Sequence, residues 1–338
     1  MRLLIVKTSS MGDVVHALPA VSDIQRAHAA AGSGGGVKAL EVDWLVEPAF
    51  AAIPALHPGV TQVHRLPWRK WRRQLTKATT WHAMAELTNS LRARRYDLVI
   101  DCQGLLKSAL WARRAAAPVA GYDRHSIREP LASLLYAQRH AVPRSMQAVM
   151  RCRLLVGSAV AAQMGWNPPT AQSLPPADFG LRAVQPHRAE ALDAGPYAVL
   201  IPNASRPEKL WPDADWQAVG LSLRQRGWQP VVLWGSPAEE AMARRIAEAC
   251  GAWVPPFLTV EEAARLLAGA QAVVGLDTGF SHVAAALGRP VVGIYCDHEP
   301  ALAGITGSGP VRSLGGKGQR PTRDAVLSAL DEVLAASV

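Results

Sequence analysis

Two α/β domains in tandem, each a parallel sheet covered by helices, are what this sequence predicts, and three observations predict them. The first is length: 338 residues exceed one ordinary core and suit two domains of roughly 150 residues each. The second is composition, 49% hydrophobic and 19% charged, which supplies a packed interior and excludes wholesale disorder or a collagen-like chain. The third is a rhythm of short apolar runs alternating with helical stretches, as expected of strands buried on both faces.

Taken in order, Leu3 to Val6 is an unbroken apolar run, followed by a polar loop and a helical stretch to about Ala31. Gly32 to Gly36 reads as a flexible surface insertion without chemistry. The pattern recurs with Val42 to Val46 before a helix over Pro48 to Leu56, and with Tyr96 to Asp101 before a helix over Gly104 to Ala116. Asn167 to Pro186 holds five prolines and little periodicity, so a boundary falls there and the domains are taken as 1–170 and 171–338. The rhythm then restarts. Strands are expected at Tyr197 to Ile201, Pro230 to Trp234, Ala272 to Gly275 and Val291 to Tyr295, with helices over Asp213 to Arg226, Pro237 to Cys250 and Thr278 to Leu287. Open parallel sheets bind ligands beyond the carboxyl ends of their strands, so two such domains are expected to face each other across a cleft and hold one ligand from each side.

Charge divides the chain. Residues 1–170 carry 22 Lys/Arg against 10 Asp/Glu, a balance of +12, whereas residues 171–338 carry 14 against 17, a balance of −3. A basic half of this size attracts a polyanion, whether nucleic acid, an anionic leaflet or a phosphorylated substrate. No apolar run approaches the roughly 18 residues that span a bilayer and no signal-peptide core is visible, so a cytoplasmic location is expected. Cys102, Cys152, Cys250 and Cys296 show no paired spacing, which argues against a disulfide framework or a zinc site. Neither G-x-G-x-x-G nor G-x-x-x-x-G-K-[ST] occurs, and hydride transfer and P-loop hydrolysis lose their usual signatures.

The loops after the strands hold the candidates. Asp277-Thr278-Gly279 opens a helix at a strand end, where free N–H groups and the dipole suit a diphosphate. Asp277 either caps that helix or accepts sugar hydroxyls, and shape alone favours the cap. His282, one turn on, is by itself a packing histidine as readily as a ligand. Ser205 and Lys209 follow the strand Tyr197 to Ile201 and offer a hydroxyl and a cation; a lysine there can neutralise a leaving diphosphate, or simply be solvated. Glu239, opening the helix after Trp234, can take the hydroxyls of a ribose or complement the helix dipole. In the first domain Gly12 is expected to let the chain turn closely, and Asp13 then begins a helix whose dipole keeps it ionised, as a base or as a cap. Lys7 can orient it or bind acceptor anions, beside Ser10. The stretch from Arg65 to Arg73 concentrates Arg69, Lys70, Arg72 and Arg73 around Trp68 and Trp71, a mixture suited to stacked bases or a membrane interface. Arg128 adds a cation from another loop.

The segments Leu4 to His16, Asp101 to Ser108, Arg128 to Ser133 and Asp277 to His282 together resemble glycosyltransferase family 9, the lipopolysaccharide heptosyltransferases of GT-B fold, and the likeness runs over almost the whole chain. The resemblance implies a C-terminal domain that binds ADP-L-glycero-D-manno-heptose and an N-terminal domain that binds Kdo-lipid A. Heptose would pass to a Kdo hydroxyl with inversion, needing neither metal nor cofactor, on the cytoplasmic face of the inner membrane. It further implies Asp13 as general base. Ser205, Lys209, Glu239, Asp277, Thr278, Gly279 and His282 become donor contacts and Leu258 lines the adenine pocket, while Lys7, Ser10, Gly12, Arg69, Lys70, Arg72, Arg73 and Arg128 are left for the acceptor. Ser205 stands where the family pattern has threonine, and Pro207 stiffens the donor loop. Two rivals remain: a family member adding a later core heptose, and a non-catalytic nucleic-acid-binding protein, which explains the basic half and leaves Asp277 to His282 idle.

Overall fold

A computed structural model describes residues 1–337 except 33–38, 182–183, 188–191, 193–194, 205 and 298. The chain forms two compact units, Met1–Gly180 and Leu181–Val338. The first contains β1 (Arg2–Val6), α1 (Met11–Gly32), β2 (Glu41–Val46), α2 (Ala52–Ala55), β3 (Gln62–Arg65), α3 (Trp68–Trp71), α4 (Ala78–Ala93), β4 (Leu98–Asp101), α5 (Leu106–Arg113), β5 (Val119–Tyr122), β6 (Gln138–His140) and α6 (Ala148–Met164). The second contains β7 (Tyr197–Ile201), α7 (Asp213–Gln225), β8 (Gln229–Val232), α8 (Pro237–Cys250), α9 (Val260–Ala268), β9 (Ala272–Leu276), α10 (Gly279–Ala286), β10 (Val291–Tyr295), β11 (Val311–Gly315) and α11 (Arg323–Ala335).

Both sheets are wholly parallel, in the orders β3-β2-β1-β4-β5-β6 and β11-β10-β9-β7-β8. The apolar runs named in the sequence are their central strands: Leu3, Leu4, Ile5 and Val6 of β1, and Ala198, Val199 and Leu200 of β7, are wholly buried. A strand sandwiched between helix layers has no solvent face, which is why these runs do not alternate. Pro48 to Leu56, expected as one helix, is a tight 3-10 turn at Pro48–Phe50 followed by the single turn α2. Strand order reverses between β1 and β4 in the first sheet and between β7 and β9 in the second. In open α/β sheets the loops flanking such a reversal diverge and leave a crevice. The β1–α1 and β4–α5 loops, and the β7–α7 and β9–α10 loops, therefore hold each unit's natural site.

The chain after α6 stays with the first unit. Buried Arg153 of α6 grips Asp23 of α1 at 2.6 and 3.0 Å and donates to Pro175 O at 2.7 Å. Phe179 is buried, and Gly180, at φ +70°, lies against the His57 ring where a Cβ would come within 2.3 Å of it. All four cysteines are free and buried.

Candidate active site

In the first unit the end of β1 and the start of α1 create the chemistry. Asp13 is the third residue of α1, and its Oδ2 accepts from the Ser10 N–H at 2.9 Å and the Ser10 hydroxyl at 3.0 Å. That is the capping arrangement, and it leaves Oδ1 facing Lys7 Nζ at 3.6 Å. One carboxylate thus caps the helix and faces the lysine at once. Burial opposes ionisation of Asp13, but Lys7 and the Ser10 donors outweigh it and bring the carboxyl below its ordinary pKa. Burial likewise works against the Lys7 ammonium, and Asp13 together with Cys152, Cys102 and Asp101 outweighs it, so the ammonium is held above its ordinary pKa. Lys7 Nζ also donates to Cys102 O at 3.1 Å, tying β1 to β4 across the reversal. Gly12 lies inside the first turn of α1, not in a turn before it, and its backbone is helical rather than left-handed.

A cavity of about 190 Å³ opens on this pair, walled by Lys7, Asp13, His16, Gln103, Arg128 and Arg151 with Tyr122 and two cysteines. Gln103 is the clip that shapes it: one amide oxygen accepts from Thr8 N (2.9 Å), Ser9 N (3.1 Å) and Thr8 Oγ1 (3.3 Å). Behind it, buried Asp101 accepts from Gln103 N, Gly104 N, Ser108 Oγ and Tyr136 Oη, at 2.7 to 3.2 Å, and fixes the β4–α5 loop. Of the cations expected from the sequence, Arg128 reaches the cavity; Arg69, Lys70, Arg72 and Arg73 do not line it. Arg69 is linked to the same sheet end through Glu47, which accepts the Arg69 N–H at 3.1 Å and donates its own N–H to Thr8 O at 3.1 Å. Trp68 and Trp71 are not a stacking platform: both rings pack against Trp111, at 6.4 and 5.6 Å, and Trp71 is buried. The aromatic half of the nucleic-acid reading goes with them. His16 and Arg151 had no place among the sequence candidates. His16 was within reach, one turn after Asp13 on the same helix face; Arg151 comes from α6, and no local pattern announces it.

In the second unit, the β9–α10 loop meets the β7–α7 loop. Lys209 Nζ donates to Asp277 Oδ2 at 3.0 Å and His282 Nε2 donates to Asp277 Oδ1 at 3.2 Å, so each carboxylate oxygen has its own nitrogen. Burial would raise the Asp277 pKa, but His282 and then Lys209 outweigh it and take it down to about 2. Asp297 Oδ1 lies 3.9 Å from Lys209 Nζ, and the Asp297 carboxylate pairs with Arg206. Thr278 precedes α10 in extended conformation, and Gly279 is the first residue of that helix. The Thr278 hydroxyl and the Asn203 side-chain oxygen are buried and meet no hydrogen-bonding partner among the described residues. Gly275 permits the loop, because a Cβ there would sit 2.3 Å from Ser281 Oγ, which donates to Leu276 O. Ser236 caps α8, and Glu239 Oε2 accepts from Gly235 N at 2.7 Å, closing its own loop. Leu258 is half-buried, next to Phe257, whose exposed ring meets Trp234 edge-on at 5.8 Å. Ser205 falls outside the described residues. Among the described residues no group of His, Cys, Asp and Glu is arranged to hold a metal ion, and no helix is long and apolar enough to cross a membrane.

Comparison with known proteins gives this geometry relatives. Residues 84–322 match the model of glycosyltransferase family 9 (heptosyltransferase). Lipopolysaccharide heptosyltransferase 1 of Escherichia coli O18:K1:H7 is 38% identical over 338 residues, covering 98% of each chain. Among solved structures, E. coli heptosyltransferase WaaC with ADP superposes with a TM-score of 0.85 at 36% identity, over 98% of this chain and 99% of that one. The same enzyme with ADP-2-deoxy-2-fluoro heptose gives 0.83 over the same shares.

Proposed function

The chain belongs to glycosyltransferase family 9, the heptosyltransferases, and from that premise we propose that it moves L-glycero-D-manno-heptose from ADP-heptose to a Kdo hydroxyl of Kdo-lipid A. The observation that carries the reading is Asp13: an ionised carboxylate in a cavity whose other charged walls are cationic or, in His16, can become so. Such a site draws in an anionic sugar and then offers it a base.

In the proposed reaction the acceptor hydroxyl gives its proton to Asp13 as its oxygen bonds to the anomeric carbon. The bond from that carbon to the diphosphate oxygen breaks, ADP departs, and the configuration inverts. Lys7 and the Ser10 donors hold the carboxylate at the right angle before transfer. Arg128 and Arg151 face the acceptor's acidic groups, and Arg69, Lys70, Arg72 and Arg73 extend the positive field beyond them. On the donor side Lys209 and the N–H groups at Thr278 and Gly279 meet the diphosphate as its charge grows. Asp277, held by His282, accepts sugar hydroxyls; Glu239 takes the ribose and Leu258 lines the adenine. The relative solved with ADP and with ADP-2-deoxy-2-fluoro heptose supports a nucleotide-heptose donor. Neither metal nor cofactor enters the scheme. Since the acceptor is a lipid, the protein works as a peripheral protein on the cytoplasmic face of the inner membrane.

The test is direct. Purified protein incubated with ADP-heptose and Kdo-lipid A, with EDTA present, should yield lipid heavier by one heptose. An unchanged lipid mass overturns the reading, and preference for an already heptosylated acceptor reassigns the chain to a later step.

A further inference from the structure

Four leucines stand out from the first unit where apolar side chains are normally hidden: Leu106 is 40% exposed, Leu110 52%, and Leu131 and Leu134 68% each. They are neighbours in space. Leu106 and Leu110 share the outer stripe of α5, while Leu131 and Leu134 lie three apart on the turn 130–135, which packs against α5. Ser108, Ala109, Trp111, Ala132 and Ser133 fill the inside of these segments, so the leucines are not needed by the core.

Charge completes the picture. Over residues 106–114 and 128–139 the ionic groups are Lys107, Arg113, Arg114, Arg128 and Arg139, against Glu129 alone. Glu129 is occupied at the start of α5, accepting the Leu106 N–H at 2.7 Å. An open groove of about 520 Å³ continues the patch, walled by Arg113, Ala116, Ala117, Pro118, Leu134 and Ala137 among others. A net excess of four cations around leucines is unlike the centre of a protein interface, where charged residues as a group are depleted and aromatic residues enriched. They suit a bilayer surface, where leucines enter the acyl boundary and Lys and Arg reach out to anionic headgroups.

We infer that α5 and the turn 130–135 are where the protein rests on an anionic lipid bilayer. The placement rests on the lipid-linked acceptor proposed above and explains how it is reached. Arg128 walls the Asp13 cavity three residues before Leu131, and Gln103 walls it three residues before Leu106. A lipid whose headgroup enters the cavity thus leaves its acyl chains at the leucines.

The test uses phosphatidylethanolamine vesicles containing phosphatidylglycerol, the full-length protein, and the variant Leu131→Ser with Leu134→Ser. Both positions are largely exposed, so the melting temperature should be unchanged. Vesicle co-sedimentation should fall at least about tenfold in the variant. Heptose transfer to Kdo-lipid A in those vesicles should fall in step, while transfer to the same acceptor stripped of its acyl chains stays unaltered. For the unaltered protein, replacing the anionic lipid by phosphatidylcholine should also release it. Equal vesicle binding by variant and unaltered protein, or equal binding to neutral and anionic vesicles, overturns the inference. Failure of the unaltered protein to transfer heptose even to the stripped acceptor instead overturns the function proposed above.

Discussion

In the first unit a lysine at a strand end faces an aspartate in the first turn of a helix at 3.6 Å; in the second, Lys209 faces an aspartate just ahead of a helix at 3.0 Å. The parts are alike and the settings differ. Asp13 keeps 43% of its side-chain surface, and its closest hydrogen bonds are to its own loop. Asp277 keeps 14%, and each oxygen is taken by a separate nitrogen-bearing side chain. A carboxylate that has to receive a proton must be reachable and incompletely neutralised. One whose two oxygens each accept from a separate nitrogen is held in its ionised form instead.

That contrast can be broken most sharply at Asp13. Asp13→Asn should retain the fold and ADP affinity and lose about 10² to 10⁴ in turnover, the usual cost of a missing general base; steady-state rates and ADP calorimetry measure both sides. Normal turnover would strip Asp13 of its distinction. Next comes Lys209→Ala, which should weaken ADP binding roughly ten- to a hundredfold, the worth of a charge-assisted contact, without altering the acid side of the pH–rate curve.

Stability gives a third comparison. The Asp277 pKa is about 2 in the folded chain against an ordinary 3.8, so the folded state favours the ionised form. Its contribution, about 2 kcal/mol, is fully present above the ordinary value and lost as pH falls toward 2. Chemical denaturation between pH 5 and about 2 should therefore show a steeper loss for the unaltered chain than for Asp277→Asn. The smallest change is Ser10→Ala, which removes one donor from Asp13. The acid limb of the rate profile should move to higher pH while neutral-pH turnover stays close to that of the unaltered chain, whereas a purely structural Ser10 would move stability alone.

The same two sites show what a sequence discloses. Leu3 to Val6 and Tyr197 to Ile201 announce themselves because a strand covered on both faces must be apolar throughout. β3 (Gln62–Arg65), β6 (Gln138–His140) and β11 (Val311–Gly315) carry no such signal because they are sheet edges with partly exposed, polar faces, and the buried β5 (Val119–Tyr122) is too short a run to stand out. Asp13 and Asp277 were legible as carboxylates at strand-to-helix turns, yet shape left each divided between cap and ligand. For Asp277 the structure adds Lys209, 68 residues away in sequence, a partner that no local pattern announces. Arg151 carried no local signal, since α6 brings it to the cavity across the whole first unit. Trp68 and Trp71 misled for the complementary reason: their partner, Trp111, belongs to another segment.

Gln103 holds the β1–α1 loop by a single atom, and that fixes what the position tolerates. Glutamate would supply the same acceptor while adding a negative charge beside Asp13, competing for Lys7. Leucine would fill the space and leave the Thr8 and Ser9 N–H groups without the oxygen they share. Any redesign of the acceptor pocket that keeps Asp13 but recruits position 103 for a new contact would be spending the hinge pin on the door handle.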